Sequence, residues 1–170
     1  MTSAPPVIRP EQRADEPAIR AVHVAAFPTD AEAVLVERLR AAGRLRVSLV
    51  AVVEGEVVGH IAFSPVSLDE RVAGLGLAPV AVLPAVAGRG VGGTLVREGL
   101  SACRAAGAGL VVVLGDPAYY ARFGFQPAFT FGLRDTYGGG DAFQAIEMSP
   151  GAAPAGGGLI TYAEEFSGFW

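Results

Sequence analysis

The chain has 170 residues, 51% of them hydrophobic and only 18% charged, which excludes disorder as its dominant state and suffices for one domain with a full core. Seventeen acidic and 13 basic residues give a net charge of −4, with no basic stripe along the sequence, so nucleic acid is excluded as the main partner. The lone Cys103 excludes an intramolecular disulfide and a cysteine-rich metal site, and no apolar run approaches the roughly 18 residues that a membrane span needs.

Residues 7–9, Val-Ile-Arg, read as a short first strand closed by Pro10. The segment before it has prolines and no apolar core, unlike a secretory signal, so a cytoplasmic protein is expected. Asp15 stands where it can cap a helix carrying Ile19, Val22, Ala26 and Phe27 on one face, stopped by Pro28. Asp30 opens a second helix, with Val34, Leu35 and Leu39 inward and an end at Gly43. Residues 48–54 and 57–68 are rich in Val and Ile, and Glu54-Gly55-Glu56 between them signals a hairpin. A third strand, 77–83, runs into Pro84, and a glycine-rich turn follows at 88–93. The next helix faces a core with Leu95, Val96, Leu100, Cys103 and Ala106 and ends at Gly107. The continuous apolar run 110–114 is the pattern of a strand buried on both faces. Asp116-Pro117 starts a short helix through Tyr119 and Tyr120 towards Phe123, and 143–148 and 159–162 read as late strands. One domain spans 1–170, with its core from about residue 6 to 166 and no internal repeat.

Glycines ahead of a helix N-terminus let backbone N–H groups converge on an anion. Gly88, Gly90 and Gly93 spell G-x-G-x-x-G, with Asp116 placed downstream as in a dinucleotide fold. Against that reading, 84–87 separate the strand from the glycines, and too little chain follows for a doubly wound sheet.

A second reading takes in more residues. Val80-Ala81-Val82-Leu83-Pro84 followed by Gly88-Arg89-Gly90-Val91-Gly92 resembles the acetyl-CoA-binding signature of GNAT-family N-acetyltransferases, with Ala87 where the family usually has Gln or Arg. Tyr120-Ala121-Arg122-Phe123-Gly124-Phe125 resembles the second signature, Y-x-x-x-G-F, although Gly115-Asp116-Pro117 replaces the Asn-x-x-Ala that often precedes it. The run 114–125, Gly59-His60-Ile61-Ala62-Phe63-Ser64 and the segment from Phe143 to Tyr162 are similar to the YhbS-like branch.

The resemblance implies an α/β fold of the GNAT acyl-CoA N-acyltransferase type, a mixed, splayed central sheet flanked by helices. It implies acetyl-CoA as cofactor and a small-molecule or peptide amine as acceptor, attacked directly and without a covalent enzyme intermediate. Backbone groups of Val80, Ala81 and Val82 would pair with the pantetheine arm. Residues Ala87, Gly88, Arg89, Gly90, Val91, Gly92 and Gly93, with Thr94 beside them, would hold the pyrophosphate, and Tyr120 would be the acid that protonates the departing thiolate. A core aromatic is the other reading of Tyr120, and Tyr119 reads as packing.

The base is not evident, since 74–83 contain no carboxylate. His60 has a suitable intrinsic pKa and is the candidate; a hydrogen-bonded core histidine is the alternative. Asp116 reads as a helix cap, His23 as structural and Cys103 as core. Glu32, Glu37, Arg38 and Arg40 ride on the helix that borders the acceptor site in the family, where a solvated face is the default. The loop from Asp135 to Asp141 reads as a loop or as a lid over a cationic acceptor. A catalytically weak CoA-binding sensor or scaffold of the same fold is the alternative function. The aromatic tail from Phe166 to Trp170 must pack on its own domain or on a neighbour, and a homodimer through it or through a sheet edge is one assembly the sequence allows.

Overall fold

The computed structural model describes residues 4–170. β1 (Val7–Pro10) leads through a tight turn into α1 (Glu16–Ala26) and α2 (Ala31–Ala41). Asp15 occupies the cap position of α1, yet its carboxylate takes no capping bond. It is instead bound by both Arg9 nitrogens, at 2.7 and 3.0 Å, and by the Gln12 amide at 2.6 Å, which ties α1 to β1. On α2 the inward face is Ala33, Leu35, Val36 and Leu39, while Val34 points outward.

β2 (Val47–Val53) and β3 (Glu56–Leu68) form the expected hairpin, with Glu54 and Gly55 at φ 51° and 80° in a two-residue turn whose twist suits the strands. A second turn at Asp69 and Glu70 returns the chain as β4 (Arg71–Val82), six residues earlier than the sequence pattern marks (77 − 71). The N-terminal half of β4 escapes the β-branched signal because Gly74 and Gly76 must be small. A Cβ on Gly74 would sit 2.3 Å from the Leu110 carbonyl oxygen, and one on Gly76 would sit 2.8 Å from the Tyr162 ring. α3 (Val91–Ala105) follows the glycine turn; its inward residues are Leu95, Val96, Gly99, Leu100 and Cys103, and Ala106 lies exposed beyond its end. Gly107 at φ 88° turns the chain, with Ala108 N–H bonded to the Cys103 carbonyl at 3.0 Å.

β5 (Leu110–Leu114) is parallel to β4, and α4 (Pro117–Ala121) comes next, capped by the Asp116 carboxylate on the Ala118 amide at 3.0 Å. Two short strands not anticipated from sequence, β6 (Gln126–Pro127) and β7 (Leu133–Asp135), precede β8 (Phe143–Glu147) and β9 (Gly158–Tyr162). Strands this short carry too few residues for an alternating pattern. The sheet order is β1-β2-β3-β4-β5-β8-β6, with β9 added beside the far end of β3 and beside β7. The architecture is thus a mostly antiparallel mixed sheet flanked by helices, and β5 is buried on both faces. Val111 and Val113 pack with α3, whereas Leu110 and Val112 pack with α2 and the C-terminal aromatics.

Candidate active site

The site arises where the sheet comes apart. β4 and β5 pair only from Leu75↔Val111 to Leu77↔Val113. Beyond Leu77, β4 bulges away: Ile61 faces Val80 but Phe63 faces Leu77, so Ala78 and Pro79 together stand opposite the single Ala62 of β3, one residue extra. Val80, Ala81 and Val82 keep their β3 partners on one side, and no described strand pairs with them on the other. A cleft of about 200 Å³ fills the gap, walled by Leu77, Ala78, Pro79 and Val80 of β4 and Val113 and Leu114 of β5. Tyr120 reaches it from α4, Phe27 and Glu32 from the α1–α2 arm, and Phe169 and Trp170 from the C-terminus.

One mouth of this gap is bordered by the glycine turn. Gly88 and Gly90 have φ of 80° and 81°, with open space where a Cβ would point; Gly90 is the residue from which α3 begins. The first-turn amides of Val91, Gly92 and Gly93 have no intrahelical acceptor by geometry, which leaves donors for an anion. A Cβ on Gly92 would approach the Tyr119 hydroxyl at 3.3 Å and Val82 at 3.6 Å, so this turn abuts both the free end of β4 and the aromatic helix. Two of the expected contacts are used internally. The Ala87 amide closes a turn onto the Pro84 carbonyl at 3.2 Å, and both the amide and the hydroxyl of Thr94 bond the Gly90 carbonyl at 3.0 Å. Arg89 lies exposed on the same turn.

Tyr120 is 8% exposed, with Tyr119 and Phe125 edge-on to its ring at 5.0 and 5.6 Å between centroids. Burial, helped by the neighbouring Tyr119, pushes its phenol up to about 12, so it is fully protonated at neutral pH. Gly115 makes room for the ring, since a Cβ there would lie 2.4 Å from Tyr120 Cε2.

His60 is elsewhere. It is wholly buried on the α1 side of β3, opposite Ala81 in register, and does not line the cleft. Its Nδ1 lies 2.8 Å from His23 Nε2 and its Nε2 lies 2.8 Å from Ser48 Oγ, while the Ser48 hydroxyl donates to Glu11. Because an ionised carboxylate only accepts, the whole chain has one sense: His23 N–H to His60, His60 N–H to Ser48, Ser48 O–H to Glu11. Arg40 closes it with bonds of 3.0 and 3.3 Å to Glu11. Burial pushes the Glu11 carboxyl up, but the neighbouring His60 and the hydrogen bonds from Arg40 and Ser48 outweigh that and bring it down to about 2. His23 is lowered to about 3, by burial first and then by His60 and Arg40, and its Nδ1 has no hydrogen-bond partner. Burial also lowers His60.

Of the α2 charges, Glu37 pairs with Arg20 at 2.5 Å and Arg40 with Glu11, so only Glu32 faces the cleft. Asp135 orders the 135–141 loop by accepting the Tyr137 and Gly139 amides, at 3.2 and 2.8 Å. Tyr137 packs that loop against Trp170. The aromatic tail thus folds on its own chain, with Trp170 stacked on buried Phe166. Sequence reasoning did not place Phe27, Phe169 and Trp170 at the site; their only signal was bulk. A wider hollow of about 500 Å³ lies between Arg46, Gly74 and the 106–109 turn, remote from Tyr120, with no nucleophile or acid in its lining. Among the described residues no group of His, Cys, Asp and Glu is placed to hold a metal, and no helix is long and apolar enough to cross a membrane.

A sheet that opens between two parallel strands, with helix-terminal amides at its mouth and a protonated phenol within, is the architecture of an acyl-group transferase. Residues 7–128 match the acetyltransferase (GNAT) domain. The chain is 42% identical over 166 residues to the uncharacterized N-acetyltransferase YhbS of Escherichia coli (strain K12), covering 96% of this chain and 99% of that one. The crystal structure of Escherichia coli YhbS in complex with CoA superposes with a TM-score of 0.92 at 39% identity, covering 98% of this chain and 94% of that chain. A GNAT family acetyltransferase from Brucella melitensis in complex with acetyl-CoA gives a TM-score of 0.80 at 42% identity, with 95% and 97% covered. The protein belongs to the GNAT family of acetyltransferases.

Proposed function

We propose that the protein transfers acetyl from acetyl-CoA directly to an amine of a small molecule or peptide, with Tyr120 as the acid. The observation that carries this reading is the unpaired edge of β4 at Val80–Val82, opening onto a cleft that holds the Tyr120 phenol. The described residues suit the cofactor: the free β4 edge offers backbone groups to the amides of its arm, and the amides from Gly88 to Gly93 suit its pyrophosphate. Bound there, acetyl-CoA supplies an activated acetyl thioester.

Tyr120 donates its proton to sulfur as the carbon–sulfur bond breaks. A phenol near 12 is a poor donor to a thiolate whose thiol titrates near 8.5 in water, by about 5 kcal/mol for complete transfer. Burial removes most of that mismatch, because it raises a thiol just as it raises a phenol. Cys103 shows the size of the effect in this molecule: burial alone pushes its thiol to about 12. Where bound cofactor and acceptor exclude water, donor and acceptor are therefore matched, the condition under which proton transfer accompanies bond cleavage best.

Calorimetric titration with acetyl-CoA, with NAD as control, tests the cofactor, and an amine panel then tests turnover. Tyr120→Phe should bind acetyl-CoA unchanged and lose about 10²–10⁴-fold in kcat. Absence of acetyl-CoA binding refutes the reading.

A further inference from the structure

Among the described residues Glu32 is the one ionisable side chain besides Tyr120 that lines the cleft, and its Oε1 is fully occluded with no hydrogen-bond partner among them. Every other carboxylate with a substantially buried side chain has found one: Glu11 has Arg40 and Ser48, Asp15 has Arg9, Glu165 has Arg44, and Asp135 has backbone amides. Glu32 as a whole is only half-buried and lines the cleft, so its carboxylate can be met from that side, and nothing in the described chain pairs with Oε1. Phe27, Tyr120, Phe169 and Trp170 line the same cleft, and aromatic rings offer a cation their faces and an apolar body their surface.

We propose that Glu32 receives the ammonium group of the acceptor and takes one proton from it, and that the acceptor is a small monoamine with an aromatic or branched apolar body. The neutral amine then forms the carbon–nitrogen bond as the carbon–sulfur bond breaks, and its second proton replaces the one that Tyr120 gives to sulfur. This rests on the acetyl-transfer reading and adds the substrate class to it. Three features of the lining select that class. A single carboxylate pairs with a single cation, so a polyamine would bring further ammonium groups into the cleft with no partner. Arg is the only basic residue type in the chain besides His, and neither lines the cleft, so a carboxylate next to the amine would face Glu32 uncompensated. The volume of about 200 Å³ equals about seven waters at roughly 30 Å³ each, room for a compact body.

The test is a matched series of acceptors with acetyl-CoA: 2-phenylethylamine, phenylalanine amide, phenylalanine and spermidine, each with the wild-type chain and Glu32→Gln. The glutamine keeps size and shape and removes the charge. Expected are turnover of 2-phenylethylamine and phenylalanine amide, weak or no turnover of phenylalanine and spermidine, and about a hundredfold loss of kcat/KM in Glu32→Gln. Affinity for acetyl-CoA, read by calorimetry in the same variant, should be unchanged. Preference for spermidine or phenylalanine, or equal kcat/KM in Glu32→Gln for whichever amine is used, overturns the proposal while acetyl transfer stands. So does acetyl-CoA binding with no turnover of 2-phenylethylamine. Failure to bind acetyl-CoA at all removes the acetyl-transfer reading itself, and this inference with it.

Discussion

Replacing Gly115 by Ala tests whether Tyr120 works through its position. The new Cβ would lie 2.4 Å from Tyr120 Cε2, where ordinary contact begins at 3.4 Å, so the ring must retreat by about 1 Å (3.4 − 2.4). The backbone at 115 cannot yield instead, because its amide is bonded to the Ala142 carbonyl at 3.0 Å. Tyr119, Phe125 and Phe123, with ring centroids at 5.0, 5.6 and 6.3 Å, limit the directions in which the ring can move. Gly115 is not in the left-handed region, so the methyl adds no backbone strain, and the overpacking should cost about 1–3 kcal/mol, small enough for a chain of this size to stay folded. A displacement of about 1 Å in a catalytic group is enough for roughly a hundredfold loss in rate. Initial rates with the amine that the panel identifies should show that loss in kcat, with acetyl-CoA affinity unchanged by calorimetry. The double variant with Tyr120→Phe should be no worse than Tyr120→Phe alone, since both changes remove one contribution. Wild-type kcat in Gly115→Ala, beside an inactive Tyr120→Phe, would falsify the positional argument.

Acid stability should follow the buried histidine chain. His23 stays neutral in the fold down to about pH 3, whereas an unfolded histidine protonates near 6.5. The unfolded state therefore binds more protons in that window, so stability is full above 6.5 and falls with pH, by about 1 kcal/mol between pH 7 and 5.5 from His23 alone. Denaturant titrations at several pH values should show this slope, and His23→Gln, which keeps an N–H for His60, should flatten it; an undiminished slope would place the effect elsewhere. Glu11, held at about 2, adds a second loss below 4.5, so acid unfolding should steepen there, and Arg40→Met should shift that step upward in pH. Gly99→Ala should destabilise despite the better helix propensity of Ala, because its Cβ would meet the Phe63 ring at 2.6 Å: about 1–3 kcal/mol of overpacking against about 1 gained. A raised melting temperature would contradict this. Gly90→Ala meets no atom, so its cost should be the left-handed φ of 81° alone, about 1 kcal/mol in melts, with weakened acetyl-CoA binding as the amides shift.

The sequence made the elements with strong local signals legible. The Glu54-Gly55 turn, the two-faced strand at 110–114, the Asp116 cap and the Gly107 stop each follow from the residue types present. What stayed hidden depended on partners distant in the chain. Gly74 and Gly76 look like strand breakers until Leu110 and Tyr162 are seen pressing on them, and Asp15 looks like a cap until Arg9 is seen beside it. His60 carries the same ambiguity. Its suitable intrinsic pKa and its strand face are legible in the sequence, which leaves base and core histidine both open; that its ring meets His23 and Ser48 inside the fold depends on chain far away. Glu32 was visible as one charge among four on a helix, and nothing local distinguished it from Glu37.

The point where β4 leaves β5 supports every functional feature described. Had pairing continued past Leu77, the backbone at Val80–Val82 would be satisfied within the sheet and unable to bind an extended ligand, and Tyr120 would be a core aromatic against Val113. The bulge at Ala78 and Pro79 stops the pairing, since a proline cannot donate to a ladder and the one extra residue puts β4 out of step with its neighbour. A cleft opened inside a sheet is lined by apolar side chains, which explains why it holds so few polar groups and why each of them matters. Burial raises the phenol there and would raise a departing thiol equally, while a carboxylate oxygen in the same surroundings needs a cation to satisfy it. The C-terminal rings form part of the wall: without Phe169 and Trp170 the cleft would open further to water, and both effects would weaken. Truncation after Ser167 should therefore lower kcat/KM for the amine far more than it lowers affinity for acetyl-CoA. Equal losses in both would mean that the tail supports the fold as a whole and not the acceptor side of the cleft.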